Sequence, residues 1–168
     1  MTFPRDYPSA LVKYAVVDRA DGLSRDLYVS GDALEALRRD AHLSEFPLGT
    51  LFAIDVYSAR QVGRDRKSGT PIFARAEGHL VRAQSERTLH LMQKTQAGSG
   101  SRTWTFAGYD PVTTEPLKLE LPGDCLLCHQ AALVSDLTFS LSLLKRFAST
   151  GTVQYGYCHH PGRTACRF

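Results

Sequence analysis

The chain has 168 residues, a formal net charge of +3, an apolar share of 43% and a charged share of 22%. This is the balance of an ordinary soluble globular chain, with length for one domain spanning residues 1–168. The Lys and Arg residues are scattered, which argues against a nucleic-acid surface, and no apolar run approaches the roughly 18 residues of a membrane span. Residues 1–10 carry Pro4, Pro8 and several charges, unlike a signal peptide. The protein is therefore either cytoplasmic or exported behind a leader that Met1 replaces.

In chain order, the first expected elements are strands over residues 11–17 and 27–30, short and rich in β-branched and aromatic residues. A helix follows over 32–40, with Ser30 or Asp32 as N-cap and Leu34 and Leu37 three apart. Strands are expected at 50–57 and 72–83, the second after a charged, Gly-bounded hairpin turn at 63–69. Further strands are expected at 89–93, 103–109 and 117–121, with a Gly/Ser loop tip at 97–101. Pro122 and Asp124 suit the start of a helix over 121–130. Leu137, Leu141 and Leu144 predict a second helix over 135–148. Residues 149–168 read as an irregular tail. The fold class is α+β, a predominantly antiparallel β sheet with a few helices.

The four cysteines all lie in the last third of the chain. Cys125-Leu126-Leu127-Cys128-His129 is the CxxCH signature of c-type haem attachment. Thiols at i and i+3 of a helical turn project on one face, where they can add to the haem vinyl groups. His129 then follows as an axial iron ligand. The competing readings are a zinc half-site and a redox pair, but Cys158 and Cys166 lack knuckle spacing and the motif comes late in the chain. The expected cofactor is one covalent haem c per chain. Such assembly belongs to an oxidising compartment, which favours the periplasm and a removed leader. There Cys158 and Cys166 are expected to pair across the turn His159-His160-Pro161-Gly162. Free thiols, or a metal site with His159 or His160, are the alternatives.

The sixth iron position is less defined. Met92 falls in an expected strand and reads as core. His42, His79, His90, His159 and His160 each read as surface or loop residues rather than ligands. An open or weakly ligated distal site follows, suited to a small molecule.

Four segments carry a family resemblance over about residues 11–145. Ser24-Arg25-Asp26-Leu27-Tyr28-Val29 looks like an early strand with an arginine and then an aromatic. Phe46-Pro47-Leu48-Gly49-Thr50-Leu51 is similar to a Phe-Pro-Asp-Gly-Thr-Val segment. Trp104-Thr105-Phe106 looks like a Trp-containing strand, and the haem motif is trailed by Asp136 and Phe139. Together they resemble the cytochrome P-460 family, which includes the cytochromes c′-beta. The resemblance implies a homodimer, with haem between the sheet and the C-terminal helical segment. It also implies one of two activities. P-460 enzymes oxidise hydroxylamine or related nitrogen compounds and link their haem to a lysine on the strand after Gly-Thr. The c′-beta proteins lack that link and bind nitric oxide under an apolar cap.

Counting from Gly49-Thr50, the position of that lysine is Ile54, followed by Asp55 where the family often has Glu. Isoleucine has no nucleophilic nitrogen. Lys67 and Lys94 are the nearest lysines in sequence, and both read as solvated. Phe52 and Ile54 are expected on alternate faces of their strand, so that only one faces the haem, and the alignment favours Ile54. Arg25 is the candidate distal polar residue, able to donate to a bound oxyanion or to anchor a propionate; the plainer reading is a solvent-facing strand residue beside Asp26. The expected function is binding of nitric oxide or a related small nitrogen ligand. The alternatives are a haem oxidase or peroxidase acting on hydroxylamine or nitric oxide, and an electron-transfer cytochrome with a redox partner.

Overall fold

The computed structural model describes residues 1–118, 129, 132, 136, 138–159, 166 and 168, apart from the side chains of 84–86. Nine-residue strand β1 (Leu11–Arg19) opens the fold, with three valines and buried on both faces in its second half. β2 (Leu23–Ser30) returns antiparallel to it, with a bulge at Tyr14 in β1. The bulge turns the Tyr14 ring into the core, where its hydroxyl lies 2.6 Å from Ser140 Oγ. Helix α1 (Gly31–Arg39) follows with Ser30 as N-cap. Ala33, Leu34, Ala36 and Leu37 form its buried stripe, and Asp32, Arg38 and Arg39 sit at the ends that suit the helix dipole.

β3 (Leu51–Ala59), β8 (Arg82–Lys94) and β9 (Trp104–Tyr109) complete the antiparallel part of the sheet. Between β3 and β8 the chain makes two small hairpins: β4 (Gln61–Arg64) with β5 (Pro71–Phe73), and β6 (Arg75–Ala76) with β7 (His79–Leu80). The segment 72–83, expected as one strand, is therefore broken. Glu77 (φ 52°) and Gly78 (φ 86°) both take the left-handed region and turn the chain between β6 and β7. The charged turn at 63–69 does lie within a hairpin, as expected.

α2 (Leu141–Thr150) starts later than the predicted helix over 135–148, because Asp136 has φ 48° and cannot continue a right-handed helix. Gly151, at φ 69°, caps its C-terminus by donating its N–H to the Phe147 carbonyl at 2.8 Å. The tail is not wholly irregular. β10 (Gln154–Cys158) pairs in parallel with β1, and Cys158 is joined to Cys166 by the expected disulfide, Cα–Cα 5.4 Å. The expected helix over 121–130 lies outside the described residues except at His129. Of the expected strand over 117–121, Leu117 and Lys118 are not in strand conformation and the rest lies outside the described residues; Pro116 makes an isolated bridge to Tyr109.

The main sheet runs β10-β1-β2-β3-β8-β9, antiparallel except at β1–β10. With two helices on it, the fold is α+β and mostly antiparallel, as expected. Alternate residues point to opposite faces. One face buries Leu27, Val29, Phe52, Met92 and Trp104 under Leu34 and Leu37 of α1 and Leu143, Leu144 and Phe147 of α2. The other buries Ala53, Leu89, Leu91 and Tyr109 beneath the N-terminal residues Phe3 and Tyr7. Among the described residues, no helix is long and apolar enough to cross a membrane.

Candidate functional site

The helix-bearing face divides along its strands. One row of neighbours, Val29–Phe52–Met92–Phe106, begins beneath the helices and ends on β9. The next row is Leu27–Ile54–His90–Gly108, and beyond it lies Arg25–Val56–Thr88. Val29, Phe52 and Met92 are buried, whereas Phe106, Ile54, His90, Arg25, Val56 and Thr88 are each half-buried. The described residues thus leave a mixed patch beside the helices, apolar at Ile54, Val56 and Phe106, and polar at His90, Thr88 and Arg25.

His129 stands at the edge of this patch. Its ring packs 5.0 Å from Phe106 of β9 and 5.1 Å from Phe139, at inclined angles of 50° and 53°. Its carbonyl accepts the Ala132 N–H at 2.9 Å. Cys125 and Cys128 lie outside the described residues.

Phe52 and Ile54 do not occupy opposite faces. Residues two apart on a strand share a face, and both pack against the same core. Only the helices' cover separates buried Phe52 from half-buried Ile54. Asp55, by contrast, belongs to the other face, where it is fully buried and accepts from Tyr7 Oη at 2.6 Å and from Arg87. Arg25 is not the solvent-facing residue of the plainer reading. It is half-buried on the same face as Ile54, and its charge is felt at His90.

His90 is the residue that the sequence reading passed over. Of the histidines, His42, His79 and His159 are exposed as expected, but His90 lies in the second row between Ile54 and Gly108. Burial first, and the Arg25 charge second, push its imidazole below the ordinary histidine range. Its Nε2 lies 3.2 Å from Thr88 Oγ1. The signal available in the sequence was the alternation Thr88-Leu89-His90-Leu91-Met92, which sets His90 on the face of Met92.

Lys94 also departs from expectation. Lys67 is exposed in its turn, but Lys94 is only 1% exposed. Its Nζ donates to Gly98 O at 2.7 Å and to both carboxylate oxygens of Asp136, at 2.8 and 3.0 Å. The same carboxylate accepts Trp104 Nε1 and the Phe46 N–H, each at 3.0 Å. A strand end reads as solvated from sequence alone; here the chain folds a counter-ion over it.

A family model described as Cytochrome P460 matches residues 4–140. The chain belongs to the cytochrome P460 family. It is accordingly a haem protein, related to hydroxylamine-oxidising and nitric-oxide-binding cytochromes. A comparison with curated proteins finds no match. The cytochrome P460 match covers the sheet from β1 through β9 and stops just before α2, so β10 and the disulfide fall outside it. The residues present fit a haem. Ile54, Val56 and Phe106 give an apolar surface for the macrocycle, and the His129 imidazole is clamped at its rim by two aromatic rings.

Proposed function

We propose that this cytochrome P460 member is a periplasmic c-type monohaem protein that binds nitric oxide or a related small nitrogen ligand. Cys125 and Cys128 would hold the haem as thioethers, with the macrocycle between the sheet and the C-terminal helical segment. His129 would supply the axial nitrogen. The observation that carries this reading is the His129 ring held between Phe106 and Phe139 beside the half-buried Ile54–Val56 patch. A bound haem supplies an iron that takes small ligands. The chain's own residues orient one axial imidazole and keep water from the apolar part of the face.

Two features favour the binding reading over the lysine-linked enzyme. Ile54 occupies the cross-linking position and has no nucleophile. Lys67 is in an exposed turn, and the Lys94 ammonium is committed to Asp136 and Gly98. Met92 is buried in the core, which weighs against a methionine-ligated electron carrier. The oxidase alternative draws its support from Arg25 and His90, polar groups on the same face as Ile54. The Cys158–Cys166 disulfide supports an oxidising compartment. A homodimer is proposed from the family resemblance, and light scattering decides it.

After expression with a c-type maturation system, the intact mass should exceed the chain by one haem. The reduced protein should form a stable nitrosyl. An unmodified mass would overturn the reading, as would hydroxylamine oxidation at enzymatic rates with a lysine–haem link.

A further inference from the structure

We propose that His90 is a specificity-determining residue of the haem face, donating a hydrogen bond to an oxygen of the small nitrogen ligand bound there. The inference rests on the haem reading above and deepens it, by making the distal side polar at one defined point. The class of ligand favoured is the oxygen-bearing nitrogen compounds, such as nitrite and hydroxylamine, over ligands of similar size that cannot accept a hydrogen bond.

His90 pairs with Ile54 on one side and Gly108 on the other. Ile54 is thus its immediate neighbour, and Gly108 presents no side chain beside it. Phe106, which packs on His129, sits one row away on the same face. His90 therefore stands in the patch that the proposed axial histidine borders, between apolar Ile54 and Phe106 on one side and the polar Thr88 and Arg25 on the other.

Its orientation and proton have physical causes. The Thr88 hydroxyl, two residues earlier on the same face, meets Nε2 at 3.2 Å and ties down that nitrogen. The proposed tautomer has Thr88 donating to Nε2 and the ring proton on Nδ1, the nitrogen left to donate to the ligand. Burial and the charge of Arg25 keep the ring neutral at ordinary pH, so it offers a hydrogen bond without a full charge. Arg25 lies one row further on, paired with Val56, and favours the same anionic or oxygen-bearing ligands.

The test uses the haem-loaded protein and His90→Leu, each with haem content fixed by the pyridine haemochrome. The ferrous carbonyl adduct is the probe, because a hydrogen bond to its oxygen lowers the C–O stretching frequency. The stretch should be lower in the wild type than in H90L, and H90Q, which keeps a donor, should restore it in part. Ferric nitrite binding should weaken about 3- to 10-fold in H90L, the effect of one hydrogen bond. Equal stretches in fully loaded wild type and H90L would overturn the inference while leaving the haem reading intact. A low-spin ferric wild type that becomes high-spin in H90L would also overturn it, since His90 would then be an iron ligand. If the matured chain carries no haem, the haem reading fails, and this inference with it.

Discussion

Asp136, in the segment between His129 and α2, gathers donors from three other places in the chain: Lys94 at the end of β8, Trp104 at the start of β9 and Phe46 in the loop before β3. Only 2% of its surface is exposed, so its charge is stabilised by these groups rather than by water. Trp104 and Phe106 share a strand face, and Phe139 lies three residues beyond Asp136. Asp136→Asn should lower stability by about 3–5 kcal/mol, because buried Lys94 is left with only the more exposed Glu45 carboxylate, 4.0 Å away, as counter-ion. Chemical denaturation should show the midpoint falling at unchanged slope. Cys125, Cys128 and His129 could be read as a motif because haem attachment demands adjacent residues. Lys94 and Asp136 could not, since 42 residues separate them and nothing local marks a buried ion pair. His90 was legible as a strand residue but not as a half-buried neighbour of Ile54; that needed the register.

At the scale of elements, the antiparallel strands of the main sheet were readable from β-branched residues and turns, apart from the first half of β8, while the short hairpin strands β4–β7 and the parallel β10 were not. Gln154-Tyr155-Gly156-Tyr157-Cys158 contains a glycine and little aliphatic bulk, and its pairing partner, β1, lies at the other end of the chain. Local sequence carries no information about such a partner. Its anchorage is the Cys158–Cys166 bridge, beside which the buried Arg19 guanidinium lies 3.2 Å from Cys166 Sγ. The bridge spans a sequence separation of eight, a short loop whose closure entropy is worth about 2–3 kcal/mol. Replacing both cysteines with serine should cost about that much. Hydrogen exchange should show β10 amides losing protection before those of β2 and β3.

Across the whole molecule, the two faces of one sheet have separate duties. The face with α1, α2 and His129 is the one proposed above to take the haem, and the opposite face carries charge. There Asp26 and Asp55 stand directly across from each other on β2 and β3, a pairing of like charges that is unfavourable alone. Lys13 and Arg82 neutralise the first, and Arg87 the second. Burial raises the Asp26 carboxyl, but the hydrogen bonds and charges of Arg82 and Lys13 outweigh it and the net shift is downward. A carboxyl depressed in the folded state stabilises fully above its unfolded value of about 3.9, and that stability is lost as pH falls below it. Unfolding midpoints should therefore drop between pH 5 and pH 3 in the wild type, and Asp26→Asn should flatten that slope while lowering stability at neutral pH.

The parallel pairing of β1 with β10 also has a consequence during synthesis. The strand that leaves the ribosome first acquires its outer neighbour last, after a further 139 residues (19 to 158) have been added, on the order of ten seconds later. Until then the outer edge of β1 presents unpaired backbone donors and acceptors, a template on which another nascent chain can pair. The vulnerable interval of this protein is thus written into its topology: a chain stalled or cleaved before residue 154 would keep that edge open, and its expected fate is association with its own kind.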